Sequence, residues 1–170
     1  MQFRHSQQSP GPLTGQRGIK YDSEDCGKHG GRHGSRGLMI AITELRKTVR
    51  EHLRLAGILH KNRAYGGAVY HCGYAVEIAL KSRVCRILRW TEFPSTGKDF
   101  QNFKSLQTHN LETLLRFSGV EGRVTLTLDA EWSQVKEWNP EQRYDPVGTQ
   151  TAASSSDMIT ATRKILRAIL

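Results

Sequence analysis

No stretch of this chain approaches the ~18 consecutive apolar residues that a membrane-spanning helix needs, and the N-terminus lacks the continuous apolar segment of a secretory signal. The expectation is a soluble, cytoplasmic protein without membrane contact. Cysteine is scarce and odd in number, with Cys26, Cys72 and Cys85, which excludes a disulfide framework and fits a reducing compartment. Also missing are a glycine-rich phosphate loop between strand and helix, a zinc-finger spacing in the folded part and a nucleophile elbow. Acidic residues are the minority charge, 16 against 25 Lys and Arg. That balance favours anionic partners such as RNA, DNA or nucleotides.

At 170 residues the chain is long enough for one core and a tail. Residues 1–37 are the tail. They are rich in Gly, Ser, Gln, Arg and His and almost without aliphatic side chains, so they cannot bury enough apolar surface to offset the entropy of ordering. The segment reads as a disordered arm, either a basic tether for a polyanion or, preferred here, a stretch ahead of a natural start at Met39. Cys26, His29 and His33 have a spacing that a metal can use, but no fourth ligand accompanies them. No metal and no cofactor are expected.

From residue 38 onward the pattern is helical. Leu45, Val49, Leu53, Ala56 and Leu59 recur at amphipathic spacing, with Thr43 a candidate N-cap and an end near residues 60–62. The next helix, from Tyr65 to about Arg89, is apolar around most of its girth: Ala68, Cys72, Ala75 and Ala79 lie on one stripe, Tyr70, Tyr74, Ile78 and Leu88 on another. Such a helix belongs at the centre of a bundle, and Gly66, Gly67 and Gly73 within it point to the close approach of another backbone. Residues 90–109, with Pro94 and Gly97, look too broken for regular structure. Asn110 caps a short helix from Leu111 to Phe117 that stops at Ser118-Gly119. Leu126, Leu128, Trp132, Val135 and Trp138 predict a fourth helix, which Pro140 ends. Residues 124–128 also resemble a short strand, though without a partner. A loop over residues 139–148 follows, and then a last helix capped by Ser156 or Asp157, with Ile159, Leu166 and Ile169 on one side. The fold expected is an all-α, four- to five-helix up-and-down bundle over residues 38–170.

Three segments in order, G-Y-A-V-E-I-A-L-K at 73–81, H-N-L-E-T-L-L at 109–115 and W-N-P-E-Q-R-Y-D-P at 138–146, resemble the HEPN superfamily of prokaryotic helical-bundle proteins. The likeness spans Met39 to Leu170. It implies a homodimer, roles in nucleotide or RNA binding, and toxin–antitoxin or defence systems in which a small nucleotidyltransferase acts as a partner in trans. The ribonuclease branch of that family carries an arginine and a histidine four to six residues apart in the C-terminal half. Here no histidine follows His109. Arg46 with His52, and Arg54 with His60, have the spacing but lie on the first helix.

The candidate ligand-binding residues are Arg143, Tyr144, Glu77, Lys81, His109 and Trp138; no catalytic residue is assigned. Glu77 and Lys81, spaced i, i+4 with the acid first, form either a structural ion pair or the lining of a cleft. His71 beside them reads as a satisfied bundle histidine or a surface residue. His109 either hydrogen-bonds the open start of the third helix or meets a ligand. Arg143, in a Pro-bounded loop, either grips phosphate or pairs with Glu77, and Tyr144, Trp138 or Trp132 is available to stack a base. The function expected is non-catalytic binding of a nucleotide, RNA or a protein partner. A metal-independent endoribonuclease toxin and a dimeric interaction module are the alternatives.

Overall fold

The structure, a computed structural model, describes residues 39–94 and 103–170. The arm expected over residues 1–37 lies outside them, together with Cys26, His29 and His33. The described chain runs β1 (Met39–Ala41), α1 (Ile42–Lys61), α2 (Tyr65–Ile87), β2 (Glu92–Pro94), α3 (Leu111–Phe117), α4 (Glu121–Thr127), α5 (Asp129–Val135) and α6 (Ala152–Ile169), with single 3-10 turns at Lys104–Leu106 and Pro140–Tyr144. The fold is an all-α bundle. The sheet found among the described residues is a short antiparallel pair in which Ile40 faces Phe93.

The central place of α2 follows from its sequence. Ala68, Cys72, Ala75, Val76, Ala79 and Leu80 are almost wholly buried, because small side chains on several faces let α1, α3 and α6 all pack close to its axis. Leu111 and Leu114 on α3, Val135 on α5 and Ile165 and Ile169 on α6 complete that core. A second cluster joins Leu45, Val84, Cys85, Phe93 and Leu106 at the other end of α2. Burial pushes the thiols of Cys72 and Cys85 up to about 11, so both act as small core side chains and not as nucleophiles. Only residues 62–64 join α1 to α2, which forces the two helices antiparallel. The turn passes through Arg63, at φ +62°.

Several local expectations are corrected. The start of α1 is not capped by Thr43: the helix begins at Ile42, after Ala41 and without a side-chain cap. The connection after α2 is not structureless, since β2 pairs with β1. The single fourth helix is two, broken at Leu128, whose φ of −137° is not helical. Residues 124–127, strand-like in sequence, lie in α4. The loop after Trp138 contains a 3-10 turn begun by Pro140 and capped by the Asn139 side chain on Glu141 N–H. α6 starts earlier than expected, capped by Thr151 and not by Ser156 or Asp157: Thr151 and Ser154 cap each other's backbone reciprocally. Asn110 caps α3 as expected, accepting from Thr113 N–H at 2.8 Å.

Of the glycines of α2, Gly73 admits a side chain, not a backbone. A Cβ on Gly66 would have nothing within 4 Å and one on Gly67 would meet only Leu59, whereas one on Gly73 would fall inside the Trp138 ring. Trp138 is 3 % exposed, and its indole fills the notch that Gly73 leaves. A methyl group there has nowhere to go without displacing the indole. Gly73→Ala is therefore expected to lower stability by about 1–3 kcal/mol despite its better helix propensity, while Gly66→Ala is neutral or stabilising by up to ~1 kcal/mol. Urea unfolding of the two variants checks this, and equal effects would contradict the notch.

Candidate functional site

Among the described residues Glu77 is the buried charge of the bundle, 2 % exposed on an otherwise apolar stretch of α2. Its carboxylate accepts from Lys81 Nζ at 2.5 Å and from His109 Nδ1 at 3.0 and 3.1 Å to its two oxygens. A carboxylate stripped of water needs such partners, and here it has one from the next turn and one from the segment before α3. His109 itself is exposed, so the bond to Glu77 fixes its ring while leaving the Nε2 edge toward solvent. Lys81 also lies 5.4 Å from the centre of the Phe93 ring, which β2 supplies.

One and two turns earlier on α2, Tyr74 and His71 meet His52 of α1. The Nδ1 atoms of His52 and His71 are 2.8 Å apart, a contact in which one ring donates and the other accepts. Tyr74 stacks on His52 at 5.5 Å between ring centres. Burial lowers the pKa of His52 first, the neighbouring His71 charge adds to it, and Glu51 and Glu77 oppose both; burial alone lowers that of His71. The Tyr74 hydroxyl, bonded by Tyr70 at 3.3 Å, is pushed up to about 12 by that bond and then by burial.

The third group surrounds Arg143. A cleft of about 690 Å³ opens between the start of α2 and residues 142–150, lined among others by Arg63, Tyr65, Gly66, Gly67, Tyr70 and Arg143. The Arg143 guanidinium sits 4.6 Å from the centre of the Tyr144 ring and 3.4 Å from Glu141, and Tyr144 and then Tyr70 push its pKa up. α2 begins without a side-chain cap, and Tyr65, Gly66 and Gly67 of its first turn line the cleft. Arg63 holds a left-handed backbone that glycine would adopt at lower cost. Arg89 does the same after α2, so the conformation alone assigns no role.

The structure thus brings Glu77, Lys81 and His109 together and sets Arg143 and Tyr144 apart from them. The anticipated Arg143–Glu77 pair does not form, because Glu77 is already satisfied and Arg143 turns to Glu141 and the tyrosines. His109 does not bond the start of α3, which Asn110 closes. Trp132 and Trp138 are not platforms for a base, since both rings are buried; Tyr144 is 73 % exposed. The Arg54–His60 spacing on α1 has no chemistry, as Arg54 pairs with Glu51 and His60 with Ser155, and His52 of the other pair is engaged by His71. Sequence reasoning missed Arg63 and Tyr70, whose only signal was a place just before, or little more than one turn inside, the uncapped start of α2.

Among the described residues no group of three His, Cys, Asp or Glu is placed to hold a metal ion, and no helix is long and apolar enough to cross a membrane. Fold and site together define an all-helical bundle with a cleft lined by Arg63, Arg143 and Asp145 at one end of its central helix and a buried carboxylate farther along it. No family model, curated protein or solved structure matches the chain.

The histidine pair makes stability depend on pH. Both folded-state values lie below the ordinary imidazole value of about 6.5, so the unfolded chain binds protons first as pH falls. Stability is fully present above about 6.5 and declines below it, through the window down to the lowered folded values. Thermal unfolding between neutral and mildly acidic pH should show this decline, and it should be shallower in His71→Gln; an unchanged slope would contradict the assignment.

Proposed function

We propose that this chain is a HEPN-type, non-catalytic binding protein whose ligand is a nucleotide or a short stretch of RNA, held at the cleft between α2 and the Arg143 segment. The observation that carries this is one opening of about 690 Å³ whose lining includes Arg63, Arg143, Tyr65 and Tyr70, with Asp145 also in its wall, at the uncapped start of α2. Pockets of ~300–1,000 Å³ take small ligands. Arginine grips phosphate through paired donors, the helix start adds a favourable partial charge, and Tyr65 and Tyr70 in the cleft wall offer aromatic surface to a base. The chain's excess of basic residues draws such anions from solution. The HEPN resemblance adds a homodimer, a nucleotidyltransferase partner in trans and a place in a toxin–antitoxin or defence system; the core-packed thiols favour a cytoplasmic setting.

Arg143 is exposed and outside the core, so Arg143→Ala leaves the fold intact. The expected outcome is unchanged circular dichroism with nucleotide or RNA affinity reduced about tenfold or more, and binding that weakens with salt in the parent protein. Parent-like affinity in the variant would remove the cleft from the account.

A second reading rests on a different observation, the Glu77–His109 bond beside Lys81. A buried carboxylate that holds one imidazole nitrogen and leaves the other to solvent is the arrangement of a general base. In a ribonuclease of this kind His109 Nε2 takes the 2′-hydroxyl proton and the 2′-oxygen attacks phosphorus. The bond to the 5′-oxygen then breaks, that oxygen takes a proton from water, and Lys81 steadies the charge on the phosphate. Incubating labelled mixed-sequence RNA with the protein in EDTA is the discriminating assay: intact RNA is expected, while cleavage to 2′,3′-cyclic ends that His109→Ala abolishes would put this reading first.

A further inference from the structure

The far end of α2 carries a second surface feature. Residues 86–89, Arg-Ile-Leu-Arg, are all exposed where the helix stops. Ile87 is 51 % exposed and Leu88 38 %, and Phe117, the last residue of α3, is 45 % exposed. These side chains lie close together. Ile87 covers Gly119, two residues past Phe117, and Arg83 of α2 donates from Nε to the Ser118 carbonyl at 3.3 Å. Trp90, partly exposed, extends the group and meets the exposed Phe103 ring edge-on at 4.8 Å. Single apolar side chains on a surface need no explanation, but a contiguous group at one end of a bundle marks a surface that meets something.

The charges around it say what. Arg86 and Arg89 bracket the two aliphatic residues, and Arg116, with 71 % of its side chain exposed, precedes Phe117. The acids of this end are Glu92 on β2, Glu112 one turn before Arg116, and Glu121, which Arg116 approaches to 3.9 Å; none interrupts the run from Arg86 to Trp90. Attraction to the negative end of the helix dipole accounts for arginines at the end of α2, but not for aliphatic and aromatic side chains left in water beside them. Together they have the composition of a surface that enters the headgroup layer of an anionic bilayer. Apolar tips go below the headgroups, an indole sits at their level, and guanidinium groups pair with phosphate and carboxylate. The shape agrees. A helix terminus followed by Arg89 at φ +55° and a tight turn through Gly119 at φ +69° are ends of elements, which project. Projecting side chains suit a soft surface that closes around them, whereas a folded partner has to supply a complementary groove.

From this we infer that the C-terminal end of α2, with the adjoining turn after Phe117, docks on an anionic lipid surface. Such a contact needs no membrane-crossing helix, and among the described residues there is none. It departs from the expectation of a protein without membrane contact, and it is independent of the cleft, which opens at the other end of α2.

The test is co-sedimentation of the full chain with vesicles of phosphatidylcholine alone and of an equal mixture of phosphatidylcholine and phosphatidylserine, with tryptophan emission read in parallel. The protein should sediment with the anionic vesicles only, less so as salt is raised, and its emission should move to shorter wavelength. Trp132 and Trp138 are buried, so Trp90 carries that shift and Trp90→Phe should remove it. A basic chain is also drawn to anionic vesicles by charge alone, and the apolar residues separate the two cases. Ile87→Ser combined with Leu88→Ser keeps every charge and should lower vesicle affinity about tenfold or more, as should Arg86→Gln combined with Arg116→Gln. All four positions are exposed, and circular dichroism checks that the fold is kept. Arg143→Ala, at the cleft, should bind vesicles as the parent does. Sedimentation that the Ile87 and Leu88 substitutions leave unchanged, or an emission shift that survives Trp90→Phe, would overturn the inference. So would a failure to sediment with either vesicle, which would leave an acidic, apolar protein segment as the partner that such a patch fits.

Discussion

The seat of Trp138 on Gly73 is the contact on which the cleft end of this molecule depends. α2 is covered on most sides by other helices, and the notch in its surface at Gly73 is filled by an indole arriving from outside the helical framework. That indole stands just before Asn139 and Pro140, so it fixes where the following residues run. The Asn139 cap and the 3-10 turn continue the chain stiffly to Arg143, which is thereby held beside the start of α2. Tyr70 and Tyr74, both in ring contact with Trp138, connect the notch to the cleft. Packing at one glycine thus sets the position of a guanidinium a short way further along the chain.

Glu77 imposes a second constraint on the same helix. A buried carboxylate is costly unless every oxygen is engaged, and its partners come from α2 itself and from the segment before α3. The charge therefore orders a stretch of chain that apolar packing alone would not hold. Tyr74 lies between the two regions and feels both the Glu77 and the Arg143 charges. Whether one or both regions meet a ligand, they are carried by a single rigid element, which is how a small bundle can keep two polar groupings in fixed relation.

The central helix was legible in the sequence because its apolar residues encircle it, a pattern that neither a surface helix nor a half-buried strand produces. Asn110 was legible for the same kind of reason: a side chain that caps, followed by a short periodic run. The start of α6 was not, since the residues after Thr151 are mostly small, polar and solvent-facing, and apolar periodicity begins only near Met158. The break at Leu128 has no Gly or Pro to announce it; Thr125 and Thr127 turn their hydroxyls back onto the carbonyls of Glu121 and Arg123, a local competition that weakens helix without forbidding it. The sheet joins two very short strands that are distant in sequence, too brief to alternate visibly. Of the site, the Glu77–Lys81 pair could be read from spacing. His109 as its third member could not, because only the fold brings it there, and Trp138, read as the last apolar residue of the fourth helix, could not be seen as a wedge because only the fold sets it against Gly73.

The most direct test of the central claim is to follow the backbone amides and the Trp indole N–H signals by two-dimensional NMR while a nucleotide mixture is added. The account predicts saturable shifts at Gly66, Gly67, Gln142 and Arg143, with the amides around His109 and Lys81 unmoved. Shifts confined to His109, Lys81 and their neighbours, or no shifts at all, would contradict it.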